Sequence, residues 1–324
     1  MKILKTDLKS LNKFREKFSP YTEKYCQQIF QEYEISFNEK ELSEILLSVF
    51  RLNEFQVIEG KEVNWENLEH WLKDKLVPNL VILNLGDEDV VRLLIFCLEI
   101  TYQMFSGGSR ATISQKGFRE RRRTFESILV DQFIGKLGEV FLKRYLEDKF
   151  RAEILLDWEI SPQREKYQKD IINAKGNISI KSSPALAGIW AEAGLGYDYG
   201  VMVKCMVPEQ PILQFFIEIC GFSRLLDFAR EKISPSDQLF AGYLEDIRSR
   251  IQDYKCGEMK SELKGFICGY FSTREYQPFR TGTKLEYLGE VREERYIISL
   301  SQLKYQPEHW KEFLEENELA VGAS

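Results

Sequence analysis

The sequence predicts an α/β protein with a helical N-terminal part. Three observations carry this. Apolar residues recur at three- and four-residue spacing through residues 1–105. Beyond residue 150 the pattern switches to period two. A long helical stretch interrupted by glycines separates the two regimes. The chain has 324 residues, enough for one large domain or two ordinary ones. Apolar content of 44% and charged content of 30% fit a soluble globular chain.

In the N-terminal part, Leu8, Leu11, Phe14, Phe18, Tyr21, Tyr25, Ile29 and Phe30 form one helical stripe. Residues 39–50 repeat it with Leu42, Ile45, Leu46 and Val49, and Asn38 is placed to cap them with Glu41 as its box partner. Residues 65–76 form a further amphipathic helix that Pro78 stops, and residues 87–105 form the most apolar one. Ser106-Gly107-Gly108-Ser109 ends this region, so residues 1–108 are expected to be a helical N-terminal region and 109–324 a second domain.

A basic segment follows, with Arg110, Lys116, Arg119, Arg121, Arg122 and Arg123 against the single acid Glu120. Guanidinium groups at short spacing can neutralise a phosphate backbone and release its counterions, although the chain as a whole carries a net charge of −6. The next helix, residues 124–150, has Thr124 as cap and a stripe of Phe125, Leu129, Phe133, Leu137, Phe141 and Tyr145. Gly135 and Gly138 each cost about 1 kcal/mol of helix propensity, which close approach of another backbone would explain. Glu139 follows directly.

Residues 152–160 then read as a strand. Residues 161–169 form a polar loop, Asp170-Ile171-Ile172 a short strand, Lys175-Gly176-Asn177 a hairpin turn and residues 178–182 the return strand, with Ser179 and Lys181 on one face. Residues 184–193 read as a helix carrying Glu192. Strands are expected at 200–207, 212–221, 266–272 and 295–300, and helices at 223–231, 236–254 and 307–319.

Residue usage narrows the chemistry. His70 and His309 are the two histidines, too few for a His-rich zinc site and unfavourable for a Ser-His-Asp hydrolase. The six cysteines, Cys26, Cys97, Cys205, Cys220, Cys256 and Cys268, form no C-x-x-C pair and read as reduced thiols of a cytoplasmic protein. Met1 to Lys5 leads into charge rather than an apolar segment, so neither a signal peptide nor a membrane span is expected. Carboxylates, lysine and a hard cation remain.

An acid on a helix, a strand, Asp170, a hairpin and x-x-Lys181 is an order that resembles the PD-(D/E)XK nuclease superfamily, over residues 124–222. The resemblance implies a restriction-endonuclease-like mixed sheet flanked by helices. It also implies Mg²⁺-dependent hydrolysis of double-stranded DNA, by a type II restriction enzyme acting as a homodimer. It assigns catalytic roles to Asp170 and Lys181, with Mg²⁺ held by Asp170, Glu139 and the Ile180 carbonyl. The family's second acid stands two residues before the lysine, where this chain has Ser179. Some restriction enzymes resemble this chain in having serine there and the acid displaced to the following helix, which leaves Glu192 and Glu139 as alternatives. Asp157 and Glu159 form another acidic pair, ranked behind Asp170. Further DNA contacts are expected from Lys260, Lys264, Arg274, Arg280 and Lys284. The alternatives are a non-catalytic DNA-binding protein on a decayed nuclease fold, a helical interaction protein and, more remotely, a carboxylate-pair glycosidase.

Overall fold

A computed structural model describes residues 1–84, 87–106, 125–158, 169–207 and 262–320. The basic segment from Arg110 to Arg123 lies outside the described residues. So do Cys220, Cys256, Glu159 and Lys260, and the elements expected at 212–221, 223–231 and 236–254.

The described helices are α1 (Leu11–Tyr21), α2 (Gln28–Gln31), α3 (Glu39–Leu52), α4 (Trp65–Trp71), α5 (Glu88–Ser106), α6 (Phe125–Phe150) and α7 (Pro307–Glu316). The expected capping box opens α3. Asn38 Oδ1 accepts from Glu41 N at 2.8 Å, and Asn38 N donates to Glu41 Oε2 at 3.1 Å. Pro78 stands in the short 3₁₀ turn that ends the α4 region.

Residues 1–105 are not wholly helical. Leu80–Asn84 is a strand, β3, antiparallel to β7 (Glu262–Ser272). β7 pairs antiparallel with β6 (Tyr199–Met206), and β6 pairs parallel with β4 (Ile178–Ser183). The resulting mixed sheet has the order β3-β7-β6-β4. The expected boundary at residue 108 therefore falls in sequence between strands of one sheet. Two further strands, β5 (Trp190–Gly194) and β10 (Arg295–Ser299), pair antiparallel with each other. Short pairs complete the β structure of the described residues: β1 (Ile58–Glu59) with β2 (Glu62–Val63), and β8 (Lys284–Leu285) with β9 (Gly289–Glu290).

The central strands are covered on both faces, so every residue of β6 is buried. Val201, Val203 and Cys205 join one core with α5, α6 and α7, while Met202 and Met206 join another with α1, α3 and α4. Between Phe133 and Leu142, α6 buries every residue except Gly135 and Glu139, as a helix wedged between α5 and the sheet must. Gly138 is the contact that lets it lie so close, because a Cβ there would stand 1.8 Å from Ser182 Oγ and 2.8 Å from Ser182 Cβ. Gly135 meets nothing within 4 Å, but its carbonyl accepts from Ser182 Oγ at 3.0 Å.

Three local expectations are corrected. Residues 184–193 are not a helix: their second half is β5, whose Ala191 and Ala193 alternate inward against Trp190, Glu192 and Gly194. Pro184, Gly188 and Gly194 remove the helical advantage, and pairing with β10 decides the outcome. Residues 170–172 are not the first strand of a hairpin with β4. Ile171 instead bridges Leu156, Ile172 N donates to Leu155 O at 2.9 Å, and the Asn173 side chain ties Leu155 N and Glu153 O. For the same reason residues 152–158 carry one isolated bridge rather than a continuous strand. Cys26, Cys97, Cys205 and Cys268 are buried free thiols. Among the described residues no helix is long and apolar enough to cross a membrane.

Candidate functional site

The elements around α6 gather a cluster of charged side chains. Lys136 and Glu139 stand one turn apart on α6, and Lys136 Nζ lies 2.6 Å from Glu139 Oε2. Both side chains are largely buried, 8% and 13% exposed. The Lys136 ammonium also donates to the Asp157 carbonyl, drawing residues 152–158 onto the helix. The rings of Trp158 and Phe96 flank it, with centroids at 5.0 and 5.3 Å. A cation held by a carboxylate, a carbonyl and two aromatic faces is well compensated for its burial.

Asp170 enters from the next segment. Its Oδ2 accepts from Ile180 N at 2.7 Å, so the carboxylate takes the place of a ladder bond at β4. This sets Asp170 beside Lys181, the next residue on β4, whose side chain is exposed. Burial pushes the Asp170 carboxyl above the usual carboxylate range. The Ile180 N–H, Lys181 and Lys136 pull it down, and Asp157 adds to the rise. Glu139 is pushed up to about 8, first by burial, with Lys136 opposing and Asp170 and Asp157 adding to the rise. Glu139 and Asp170 therefore share one poorly solvated field, as carboxylates gathered at one site do.

Of the residues singled out in the sequence, Glu139, Asp170, Lys181 and the Ile180 main chain converge here, with Asp157 beside them. Glu192 does not join them. It stands on β5 opposite Ile297 and pairs with Arg295 at 2.6 Å, so the displaced acid on a following helix has no counterpart in it. Ser179 is fully buried on β4, and among the described residues its hydroxyl has no hydrogen-bond partner. Lys264, expected at a DNA surface, is buried against Glu41 at 2.8 Å and the Ser36 carbonyl at 2.7 Å.

Sequence reasoning missed two members of the cluster. Lys136 carried a weak signal, its three-residue spacing to Glu139. Tyr197 carried none. It lies between β5 and β6, and burial, Asp170 and Glu139 together raise its phenol. Among the described residues no three His, Cys, Asp or Glu side chains form a group that could hold a metal ion. No protein-family model, no curated protein and no solved structure matches this chain.

Proposed function

We propose that this chain is a Mg²⁺-dependent endonuclease acting on double-stranded DNA, and that Glu139, Asp170 and Lys181 carry the reaction. The supporting observation is the Asp170–Ile180 hydrogen bond, which brings an acid and the lysine of β4 together beside a helix-borne acid. Glu139 is the second acid in this reading, and Glu192 has no part in it. The donor set fits the ion. Two carboxylates and the Ile180 carbonyl are hard oxygens, and Mg²⁺ takes one or two carboxylates while keeping several waters. A third carboxylate is not required.

The bound ion would supply charge neutralisation at the phosphate and a water of lowered pKa. Asp170 and Glu139 would hold it. Lys181, exposed at the edge of the cluster, orients the attacking water and stabilises the charge that develops on the non-bridging oxygens. Water adds to phosphorus and gives up a proton to solvent, the bond to the leaving oxygen breaks, and that oxygen takes a proton from solvent. Sequence specificity, homodimerisation and DNA contact through Arg110, Lys116, Arg119, Arg121, Arg122 and Arg123 belong to the same proposal.

One observation favours a second reading, a non-catalytic DNA-binding protein on a decayed nuclease fold. Lys136 already holds Glu139 at 2.6 Å, so the ammonium occupies the carboxylate that the ion needs. Incubating unmodified phage DNA with the protein and Mg²⁺ separates the two. The nuclease reading expects discrete fragments from the parent and none from Asp170→Ala or Lys181→Ala. Cleavage that survives both substitutions would remove the site. Salt-sensitive binding of that DNA without cleavage in Mg²⁺ or Mn²⁺ would favour the decayed fold.

A further inference from the structure

A cleft of about 580 Å³ opens at the far end of α6, between that helix, the turn around Phe55 and the segment before α7. Ten residues separate Glu139 from Lys149 on α6, about 15 Å along the axis, so the cleft is separate from the acid cluster. Its walls include Phe55, Tyr145, Phe150 and Tyr305, with Lys73 and Lys149 among the lining residues. The volume lies within the range of small-molecule sites, about 300–1,000 Å³.

The walls are held in place by buried polar contacts. Phe55 has φ 54°, and its neighbours Asn53 and Gln56 are also left-handed, at 50° and 56°. For a bulky residue that conformation costs about 1–3 kcal/mol and needs surroundings that enforce it. Glu54 enforces it from within the turn, accepting from Lys75 Nζ at 2.6 Å and Trp71 Nε1 at 2.8 Å. The same Lys75 ammonium lies 4.4 Å from the Tyr305 ring centroid and steadies that wall. Tyr145 is fixed by its hydroxyl, which donates to Asn79 Oδ1 at 2.6 Å. Aromatic faces set before a ligand arrives lose little entropy on binding.

Charge selects among planar ligands. Lys73 is engaged by Glu69 at 2.9 Å and Glu32 at 3.6 Å, and Asp74 on the rim is 3.5 Å from His70. Lys149 is exposed, its ammonium 4.8 Å from the Tyr145 ring centroid, and among the described residues no carboxylate pairs with it. We propose that this cleft binds a nucleotide, its base packed against the half-buried rings of Phe55, Phe150 and Tyr305 and its phosphate against Lys149. Stacking on an aromatic side chain contributes about 1–3 kcal/mol per base.

Calorimetric titration of the full chain with AMP, GMP, CMP and UMP tests this, with adenosine and inorganic phosphate run in parallel. At least one nucleotide binds, and its affinity falls about tenfold or more in Lys149→Glu, an exposed substitution whose fold is checked by thermal melting. Phe150→Ala weakens the same nucleotide, while adenosine and phosphate each bind more weakly than AMP. No binding at millimolar nucleotide would overturn the proposal. So would binding indifferent to both substitutions, or phosphate matching the nucleotides. None of these outcomes depends on DNA cleavage.

Discussion

Replacing Gly138 with alanine drives a methyl group into the contact between α6 and β4. The new Cβ would meet Ser182 Oγ at 1.8 Å, Ser182 Cβ at 2.8 Å and Val203 Cβ at 3.5 Å. The hydroxyl could rotate away at the expense of its bond to the Gly135 carbonyl, but Ser182 Cβ moves only with the strand. Overpacking of this kind costs about 1–3 kcal/mol, and each added pair of atoms must be accommodated by shifting helix or sheet. Alanine returns about 1 kcal/mol of helix propensity, so the net expectation is a loss of up to about 2 kcal/mol relative to the parent, and of about 1–3 kcal/mol relative to Gly135→Ala, where the same gain is unopposed. Gly135→Ala is the internal control. It gains the same propensity with nothing within 4 Å to oppose it, and should stabilise. Urea unfolding followed by far-UV circular dichroism gives the differences, and Ser182→Gly in the Gly138→Ala background should recover part of the loss. Gly138→Ala as stable as Gly135→Ala, or no recovery in the double variant, would refute the close-approach argument. The same shift would move Lys136 and Glu139 relative to Asp170, so any cleavage activity should fall with it.

Four further outcomes are expected. Lys204 is 1% exposed, donates to Ser48 Oγ and the Leu186 carbonyl, and is lowered by burial from 10.5 to about 8. Below pH 8 the folded state bears the full cost of the buried charge. Between pH 8 and 10.5 it sheds the proton before the unfolded chain does, so stability rises by about 3 kcal/mol. Urea titrations across that window should show this rise in the parent and lose it in Lys204→Met; parallel curves would exclude Lys204 as the source. Glu54→Ala strands the buried Lys75 ammonium and should cost about 3–5 kcal/mol, read as a lowered urea midpoint. Glu192→Ala should leave DNA cleavage intact while Glu139→Ala abolishes it; the reverse pattern in a cleavage assay would reinstate Glu192. Lys264→Ala should lower stability without changing the salt dependence of DNA binding, because its ammonium faces Glu41 rather than solvent.

Much of the local structure was legible because it depends on near neighbours. The Asn38–Glu41 box, the stop at Pro78 and the strand carrying Lys181 follow from side chains within a few residues of one another. The glycine of α6 was legible as a close approach, though the sequence could not distinguish Gly138, which touches Ser182, from Gly135, which does not. β3 was hidden because a five-residue apolar run carries no period of its own, and its partner β7 begins nearly two hundred residues later. β5 read as helix because its strand character comes from pairing with β10, a hundred residues away.

For the candidate site, the sequence by itself determined the residue types and their order: an acid after a glycine on a helix, Asp170, then Lys181. Only the tertiary structure separated Glu139 from Glu192, by setting one in the field of Asp170 and pairing the other with Arg295. It also brought in Lys136, which its spacing to Glu139 marks only weakly, and Tyr197, which no spacing rule marks. The physical reason is range. Caps, turns and alternation act within a few residues, whereas the field at a buried carboxylate is set by whatever packs within several ångströms, regardless of separation along the chain.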